Sequence, residues 1–353
     1  KQRKASSLHE ISYRACFKPQ LPKFFIELLT KENDIVYDPF SGRGTTAIEA
    51  GLLNRNVIAN DINPLSAMLS QPRFFVPAIE EVKKRLSEIA FSKSAKADID
   101  LSMFFHNQTL SEIVSLKNYL QKSSAEKKED SIDKWIRMVA TNRLTGHSKN
   151  FFSVYTFPPN QAISAESQKR INQKRNQKPE YKDVRKIILK KTKDLLANVT
   201  EEQILILKEV GRKAKFLSQD ARKTKSIKSN SVQLTVTSPP FLDVVQYADD
   251  NWLRCWFNSL EVKEIAKSIT MAKKIEDWCN VMSDVFKELF RITNPSGYVA
   301  FEVGEVRNGK IKLDEFVVPL GENAGFLCKG IFINEQMFTK TSNIWGIKNN
   351  NKG

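Results

Sequence analysis

Hydrophobic and polar positions predict two helices and two strands within residues 1–60. Residues 21–29 carry apolar side chains at helical spacing, with Pro22 near the first turn, and predict an amphipathic helix. Residues 34–38 and 56–60 are short apolar runs that predict buried strands, and a turn with two glycines and a helix over residues 45–53 separate them. A strand, a helix and a second strand in this order begin a doubly wound parallel sheet.

The pattern changes after residue 77, because most segments up to residue 210 are charged and have helical spacing. Clear helical examples are residues 79–90, 131–142 and 184–197. Strand-like runs return at residues 215–218 and 232–237, and a helix over residues 275–290 precedes a strand at 297–303. We therefore predict an α/β fold with a discontinuous doubly wound core, residues 1–75 and 212–353, and a helical insertion, residues 76–211.

Composition narrows the class of protein. The 353 residues are 41% hydrophobic, which is enough for a substantial core and excludes a disordered chain. The formal net charge is +16, and so large a charge favours nucleic acid as a partner over an anionic membrane. No apolar run is long enough to cross a membrane, and residues 1–17 lack the apolar stretch of a signal peptide. We expect no membrane span and a cytoplasmic location.

Cysteine and histidine spacing argues against a metal site. The four cysteines are far apart and form no CxxC pair, and the three histidines are also scattered. Isolated thiols suit a reducing cytoplasm. We therefore expect no bound metal.

The most basic segment lies within the predicted insertion. Residues 167–194 contain eleven Lys or Arg and three Asp or Glu, so they carry half of the net charge. Charge runs are usually solvated helix faces, but the concentration here, among Asn and Gln, favours a surface that contacts phosphates. The predicted contacts are Lys169, Arg170, Lys174, Arg175 and Lys178.

Two polar, turn-rich segments are candidate base-reading loops. They are residues 142–148 and 158–161, and they contain Arg, Asn and Gln, which make bidentate contacts with bases. Arg143 and His147 are the candidates from the first loop. Ordinary loop capping is the alternative for both segments.

The turn after the first predicted strand has the composition of a cofactor site. Residues 38–46 read Asp-Pro-Phe-Ser-Gly-Arg-Gly-Thr-Thr, and Gly42 and Gly44 allow a tight turn and close approach of a ligand. The following helix offers free N–H groups, and Asp61, at the end of the next strand, can accept hydrogen bonds from a ribose diol. The third glycine of a dinucleotide-binding turn is missing, which disfavours a nicotinamide oxidoreductase. The string predicts a nucleoside-bearing cofactor.

A second motif follows the strand at residues 232–237. Ser238, Pro239, Pro240 and Phe241 come directly after it, and the prolines lack N–H groups and restrict the backbone. The Ser238 hydroxyl and the Pro239 carbonyl could accept hydrogen bonds from an amine, and Phe241 could stack on a flipped base. The structural alternative is a kinked turn after a buried strand.

Together these motifs resemble the amino-methyltransferases of bacterial DNA, over residues 9–75 and 212–345. Residues 38–46 are similar to the family's motif for the methionine part of S-adenosylmethionine, and Asp61 to its ribose-binding acid. Residues 237–241 are similar to its catalytic loop, and residues 13–19 to a segment that closes the cofactor pocket. The resemblance implies a Rossmann-like core and a cofactor site made of Tyr13, Lys18, Asp38, Pro39, Phe40, Ser41, Gly42, Gly44, Thr45, Thr46, Asp61, Asp220, Ala221 and Thr237.

The resemblance also implies a substrate. In this family Ser-Pro-Pro-Tyr/Phe is usual for enzymes acting on N4 of cytosine, and Asp or Asn at the first position for enzymes acting on N6 of adenine. Ser238 therefore implies methyl transfer to N4 of cytosine in flipped-out bases of double-stranded DNA, with the insertion reading the target. Methylation of adenine, action on RNA, and a non-catalytic basic nucleic-acid-binding protein remain open, as does a companion restriction endonuclease.

Overall fold

The computed structural model describes residues 5–14, 16–157, 161–240, 247–268, 274–306 and 311–333. Among the predicted site residues, Phe241 lies outside these ranges, as do residues 158–160 of the second candidate loop.

Within the described residues, one sheet contains five parallel strands in the order β3-β2-β1-β4-β5. The strands are β1 (Ile35–Asp38), β2 (Asn56–Asn60), β3 (Lys215–Leu217), β4 (Val232–Thr237) and β5 (Thr293–Phe301). The chain runs outward from β1 through β2 to β3 and returns to the other side of β1 with β4, so the order reverses between β1 and β4. All carboxyl ends share one edge, and ligands of such sheets bind at this reversal. The predicted doubly wound α/β fold is confirmed.

The strand predictions hold closely, with one instructive difference. Strands β2 and β4 have the predicted ends, and β1 begins one residue later. Strand β5 begins four residues before its predicted start, since Thr293 already pairs with Val232 ahead of a register shift. A Cβ on Gly297 would lie 2.9 Å from the Gln233 carbonyl oxygen, so the strand needs glycine where it passes this irregularity. A separate antiparallel pair joins β6 (Glu305–Val306) and β7 (Ile311–Lys312).

Helices cover both faces of the sheet. They are α1 (Gln20–Leu29), α2 (Thr45–Leu52), α3 (Leu65–Ser70), α4 (Ile79–Glu88), α5 (Asn107–Ala125), α6 (Ser131–Arg143), α7 (Ala165–Lys174), α8 (Val184–Leu196), α9 (Glu201–Lys213), α10 (Tyr247–Phe257), α11 (Val262–Ser268), α12 (Ile275–Ile292) and α13 (Asp314–Asn323). Side-chain caps start several of them: Asp130 accepts from two N–H groups of α6, and Thr200 and Gln203 form a capping box on α9.

Consecutive strand residues point to opposite, equally buried faces. Val36 and Val57 join one apolar cluster, whereas Tyr37 and Ile58 join a second one with residues of α12. Burial on both faces explains the continuous apolar runs that predicted these strands.

The last helix of the predicted insertion packs directly on the sheet. A Cβ on Gly51 of α2 would lie 2.9 Å from Leu207 of α9, so the two helices touch closely. Trp135 and Ile136 of α6 belong to the same buried cluster as the strand residues Val36 and Val57. The helical segments therefore share their core with the sheet, and the division at residues 76 and 211 stays a prediction.

Candidate active site

The glycine turn after β1 depends on its two glycines. Gly42 has φ +51° and Gly44 has φ +78°, a left-handed conformation that side chains rarely adopt. A Cβ on Gly44 would also lie 2.5 Å from the Cβ of Ser70. Gly44 directly precedes α2, so the tight turn brings the free N–H groups of this helix to the carboxyl edge of the sheet.

Asp61, just after β2, is held against this turn. One of its carboxylate oxygens accepts a hydrogen bond from the Gly42 N–H at 2.8 Å, and the other accepts from the Asn63 N–H at 2.9 Å. Burial raises the pKa of Asp61 to about 6, and the two hydrogen bonds offset part of that rise. The carboxylate therefore has a defined position beside the turn before any ligand arrives.

Asp38 connects the glycine turn with the strand that carries the second motif. Its Oδ1 accepts a hydrogen bond from the Thr237 hydroxyl at 2.6 Å and another from the Phe40 N–H at 3.1 Å. Thr46 of α2 donates to the Val236 carbonyl at 3.1 Å. Burial raises the pKa of Asp38 to about 7. These contacts bring the two sequence motifs, almost two hundred residues apart, to one edge of the sheet.

The polar groups at this edge match a ligand that carries positive charge and donates hydrogen bonds. Asp38 and Asp61 are stabilised by hydrogen bonds, and no described Lys or Arg ranks among the groups that lower their pKa values. The Ser41 hydroxyl and the Asn63 amide nitrogen are buried and have no hydrogen-bond partner in the described part of the chain. Buried polar groups are normally paired, so these atoms point to a missing partner.

An N-terminal strap, defined as residues 6–14 and 16–18, lies across the glycine turn. A Cβ on Gly42 would lie 3.6 Å from the Tyr13 ring and 3.9 Å from the Cys16 sulfur, so both side chains cover the turn. Arg43 of the turn donates to the carbonyls of His9 and Ile11, at 3.1 and 2.7 Å. Of the two predicted cofactor residues in the strap, Tyr13 lies against the turn and Lys18 is exposed.

Residues of the helices α6 and α10 also hold the strap in place. The Asn142 amide accepts from the Ser12 N–H at 3.3 Å and donates to the Ser12 carbonyl at 2.9 Å. Arg254 of α10 donates to the same carbonyl at 3.0 Å. Residue 142 was predicted only as part of a base-reading loop, and Arg254 was not predicted at all, since nothing in local spacing links these positions to Ser12.

Asp250 ties the strap to α10. It lies in the first turn of this helix, and its carboxylate forms an ion pair with Arg14 of the strap at 2.7 Å. The strap is therefore tied to the helix that follows the Ser-Pro-Pro-Phe motif.

The second motif begins at the end of β4, as predicted. Ser238 and Pro240 are half-buried and Pro239 is buried. The indole N–H of Trp278 on α12 donates to the Pro240 carbonyl at 3.0 Å. This buried tryptophan was also missed, and it fixes the orientation of the second proline from the far side of the motif.

The remaining predicted cofactor residues lie around the ends of β2 and β3. Asn60 bridges the two strands, because its amide donates to the Gln219 carbonyl at 2.9 Å and accepts from the Gln219 N–H at 3.0 Å. Asp220 follows, partly exposed and paired with Arg222 at 2.6 Å, and Ala221 is buried. Pro39 and Phe40 are part of the turn between β1 and α2, and Thr45 is the first residue of α2.

The predicted phosphate contacts are displayed to solvent. Lys169, Arg170, Lys174, Arg175 and Lys178 are all exposed. Arg175 lies over the Tyr155 ring, 3.8 Å from its centre, which restrains that guanidinium. We call these five residues the basic face.

The two predicted base-reading residues differ from each other. His147 is exposed, whereas Arg143 is 7% exposed, lies over the Phe151 ring at 4.0 Å and donates to Asn142 at 2.8 Å. The enclosed guanidinium of Arg143 does not favour its proposed contact with a base, and its geometry is that of a residue that shapes the loop. Gln161, from the second loop, is half-buried.

None of the described helices is long and apolar enough to span a membrane.

Comparison with known proteins agrees with this geometry. Residues 1–71 match a family model described as DNA methylase. The Type II methyltransferase M.MvaI of Kocuria varians is 36% identical over 83 residues, which cover 23% of this chain and 18% of that protein. M.HindIII of Haemophilus influenzae is 48% identical over 52 residues, 14% of this chain and 17% of that protein.

A third relative comes from an archaeon. The Type II methyltransferase M.MjaII of Methanocaldococcus jannaschii is 31% identical over 77 residues, 22% of this chain and 14% of that protein. The matches span less than a fifth of the length of each of these relatives. Over its first 71 residues this chain is therefore similar to the DNA methylase family, and its parallel sheet with a glycine turn is consistent with that similarity.

Proposed function

We propose that this chain transfers a methyl group from S-adenosylmethionine, the methyl donor of its family, to N4 of cytosine in double-stranded DNA. The observation that carries the proposal is the hydrogen bond of 2.6 Å from Thr237 to Asp38. It joins the last residue of β4, just before Ser238, to the last residue of β1, just before the glycine turn. A cofactor held by the turn and an acceptor held by Ser238 would therefore meet at one edge of the sheet.

The cofactor site would use the polar groups at the ends of β1 and β2. Asp61 has lone pairs left for two ribose hydroxyls after its contacts with Gly42 and Asn63. The unpaired Ser41 hydroxyl and the buried Asp38 suit the charged amino-acid end of the ligand. When bound, S-adenosylmethionine supplies an electrophilic methyl group beside Ser238, and the strap covers the pocket through Tyr13.

The acceptor site would use Ser238 and the Pro239 carbonyl. The amino group of a base is a weak nucleophile because its lone pair is delocalised into the ring. Two acceptors that hold its hydrogens favour a pyramidal nitrogen with a freer lone pair. Trp278 keeps the neighbouring Pro240 carbonyl in place, so the geometry around Ser238 is set before the base enters, and positioning supplies much of the rate. Phe241 would stack on the base.

The choice of cytosine depends on Ser238, because the family's serine-type motif is usual for N4-cytosine enzymes. The adenine reaction is the nearest alternative, since both substrates present an amino group beside a ring nitrogen. The relatives are Type II methyltransferases, so we also propose a cytoplasmic enzyme within a restriction–modification system.

DNA binding is supported by charge. The basic face is exposed and lies within the segment that carries half of the +16 net charge. Exposed cations of this kind bind phosphates by releasing counterions. The helical insertion would then hold the duplex while a flipped base reaches Ser238.

The test uses purified protein, labelled S-adenosylmethionine and unmethylated duplex DNA of varied sequence, with RNA and single-stranded DNA in parallel. Nucleosides from the digested products are identified by mass spectrometry. We expect N4-methylcytosine in the duplex, reduced about 100-fold in Ser238→Ala because one preorganised polar contact is lost.

The other outcomes discriminate between the alternatives. N6-methyladenine would retain methyl transfer and refute cytosine as the acceptor, and a product in RNA alone would refute DNA as the substrate. If no methylated nucleoside forms and calorimetry detects no cofactor binding, the enzymatic function would be refuted, and a basic nucleic-acid-binding protein would be the remaining interpretation.

A further inference from the structure

Three arginine side chains of the described residues stack closely on aromatic rings. In each pair the guanidinium carbon lies no more than 4.0 Å from the centre of the ring. The pairs are Arg143 with Phe151, Arg185 with Phe91, and Arg175 with Tyr155. A ring face attracts a cation and restrains the plane of the guanidinium, so all three side chains have a restricted orientation.

The hydrogen bonds of Arg175 differ from those of the other two arginines. Arg143 donates to the carbonyl and the side-chain oxygen of Asn142, at 2.9 and 2.8 Å, and Arg185 donates to two backbone carbonyls at 3.0 Å. In the part of the chain that the structure describes, the exposed side chain of Arg175 forms no hydrogen bond and no ion pair. A guanidinium carries five N–H donors, so those of Arg175 are available to a ligand.

A network of side-chain amides fixes the position of Tyr155. The Tyr155 carbonyl accepts from the amides of Gln168 and Gln177, at 3.0 and 2.9 Å. The same two amides donate to the side-chain oxygen of Asn172, at 2.7 and 2.8 Å. Gln168 and Asn172 belong to α7, and Arg175 is the residue that ends this helix. The network therefore holds the ring and the end of the helix together before any ligand binds.

The stack lies next to the first candidate base-reading loop and within the basic face. Tyr155 bridges to Gly146, which belongs to that loop. The exposed Lys174 and Lys178 flank Arg175 in the sequence. A guanidinium with a restrained plane is therefore found among cations that suit phosphates.

A guanidinium held in one plane is suited to a flat pair of acceptors. Its parallel N–H groups can donate to two acceptors side by side, as on a phosphate or on the edge of a base. Phosphates are bound by charge, and the neighbouring lysines supply charge without a fixed plane. In the major groove, guanine alone presents two adjacent acceptors, O6 and N7, whereas every other base presents at most one. The restrained plane of Arg175 therefore favours guanine.

We propose that Arg175 determines part of the sequence specificity of this protein by donating two hydrogen bonds to O6 and N7 of a guanine in the major groove, while Tyr155 holds the guanidinium in its plane. This role replaces the phosphate contact that the sequence predicts for Arg175. The inference rests on the proposed function for duplex DNA as the partner, and on the stack of Arg175 and Tyr155 for the contact itself.

The first experiment tests the stack without DNA. Nitrogen-15 NMR follows the side-chain Nε–H of Arg175 in the full chain, in the wild type, Tyr155→Phe and Tyr155→Leu, and dispersed backbone amide signals verify that each protein is folded. We expect a ring-current shift of this proton in the wild type and in Tyr155→Phe, and its loss in Tyr155→Leu. The same shift in all three proteins would overturn the inference.

The second experiment measures sequence preference by binding alone. Duplexes with randomised positions are selected on the wild type and on Arg175→Lys, which keeps the charge and loses the planar fork, and the bound fractions are sequenced. We expect the wild type to prefer guanine at one position by at least about 10-fold, and Arg175→Lys to lose this preference and keep its others. Tyr155→Leu should weaken the same preference, and Tyr155→Phe should retain it.

Two further variants serve as controls. Lys174→Gln removes a phosphate contact beside Arg175, so it should weaken binding to all sequences alike and make the slope of log affinity against log salt concentration shallower by about one contact. Arg212→Lys makes the matched exchange on the exposed surface of α9 and should leave affinity and preference unchanged. If Arg175→Lys selects the same sequences as the wild type, or if Arg212→Lys loses the guanine preference as well, the proposal is wrong.

Modified bases identify the edge of guanine that is read. Inosine keeps O6 and N7 and lacks the amino group of the minor groove, whereas 7-deazaguanine lacks the N7 acceptor. At the selected position, the wild type should bind the inosine duplex as it binds guanine and the 7-deazaguanine duplex about 10-fold more weakly, and Arg175→Lys should bind both alike. Equal wild-type affinity for the two modified duplexes would contradict the contact with N7.

Methylation is measured separately in the same proteins. Selection of guanine that depends on Arg175, without any methylated nucleoside, would support this inference and refute the proposed enzyme. Methylation of duplex DNA by Arg175→Lys with the sequence preference of the wild type would retain the enzyme and overturn this inference.

Discussion

At the edge where β1 and β2 end, Asp38 is buried and Asp61 is half-buried, and the carboxylate of each accepts at least two hydrogen bonds. Along the basic face, by contrast, five cations extend into solvent, and Arg175 lies over the Tyr155 ring. The first region has its polar atoms in place before a ligand arrives. The second has charge in abundance and little fixed geometry.

The contrast corresponds to two kinds of recognition. A small ligand is bound by a few polar groups whose positions are already determined, since this reduces the entropy lost on binding. A polyanion is bound by charge that releases counterions, and flexible hydrated side chains serve that purpose well. We therefore expect the cofactor edge to respond to single substitutions at defined atoms, and the basic face to respond to summed charge and to salt.

The largest effect should come from reversing charge on the basic face. Replacing Lys169, Arg170 and Lys174 with Glu should weaken binding to a short duplex at least about 100-fold. The slope of log affinity against log salt concentration should also become shallower, by the amount expected for the loss of about three phosphate contacts. Fluorescence anisotropy at several salt concentrations measures both.

A second triple reversal serves as the control. It replaces the exposed Lys31, Lys122 and Lys128, which lie outside the basic face and change the net charge equally. If both triple variants lose affinity to the same extent, net charge alone drives binding and the basic face has no special role. The affinity for S-adenosylmethionine should be unchanged in both.

A smaller effect should follow from Asp61→Asn, which keeps the shape of the side chain and removes its charge. Charge-assisted hydrogen bonds to ribose hydroxyls would be lost, so the Kd for S-adenosylmethionine should rise about 10- to 100-fold by calorimetry. Asp34→Asn, directly before the opposite end of β1, is the matched control and should bind S-adenosylmethionine with the wild-type Kd.

The pH dependence of the same binding sharpens this prediction. Burial raises the pKa of Asp61 to about 6, so the ionised form that accepts hydrogen bonds is lost as pH falls through that value. The Kd of the wild type should therefore rise below pH 6, and the part of this change that is due to Asp61 should be absent in Asp61→Asn. An identical pH profile in both proteins would contradict the role of Asp61.

The smallest effect should come from the strap, which is tied down at a distance from the ligand. Asn142→Leu removes both hydrogen bonds to the Ser12 backbone, so the Kd for S-adenosylmethionine should rise about three- to tenfold. Hydrogen exchange at the Ser12 amide should accelerate.

Asn258→Leu is the control for the strap, because Asn258 is similarly buried and its amide contacts Thr141 and Arg254 without touching the strap. Equal losses of cofactor affinity in the two leucine variants would indicate a general loss of packing. An unchanged Kd in Asn142→Leu would show that the strap does not contribute to binding.

Much of the framework follows from local sequence. Strands β2 and β4 have the predicted ends, because β2 has an apolar run at its centre and β4 alternates Val or Leu with Gln or Thr, and both patterns are typical of strands. The glycine turn was also predictable, since the left-handed conformations of Gly42 and Gly44 exclude most other residues. Motifs of this kind are local, and the physical requirement that creates them acts on neighbouring residues.

The sequence alone determined the parallel α/β framework, the glycine turn with Asp61, and the basic segment, because periodicity, backbone conformation and net charge are local properties. Only the tertiary structure decided that Arg14 pairs with Asp250, that Asn142 holds Ser12, that Arg143 is enclosed, and that Trp278 holds the Pro240 carbonyl. Each of these contacts depends on which helix or strand packs next to which. That choice is made by the shared core and by the order of the strands, and it leaves no trace in the spacing of residues along the chain.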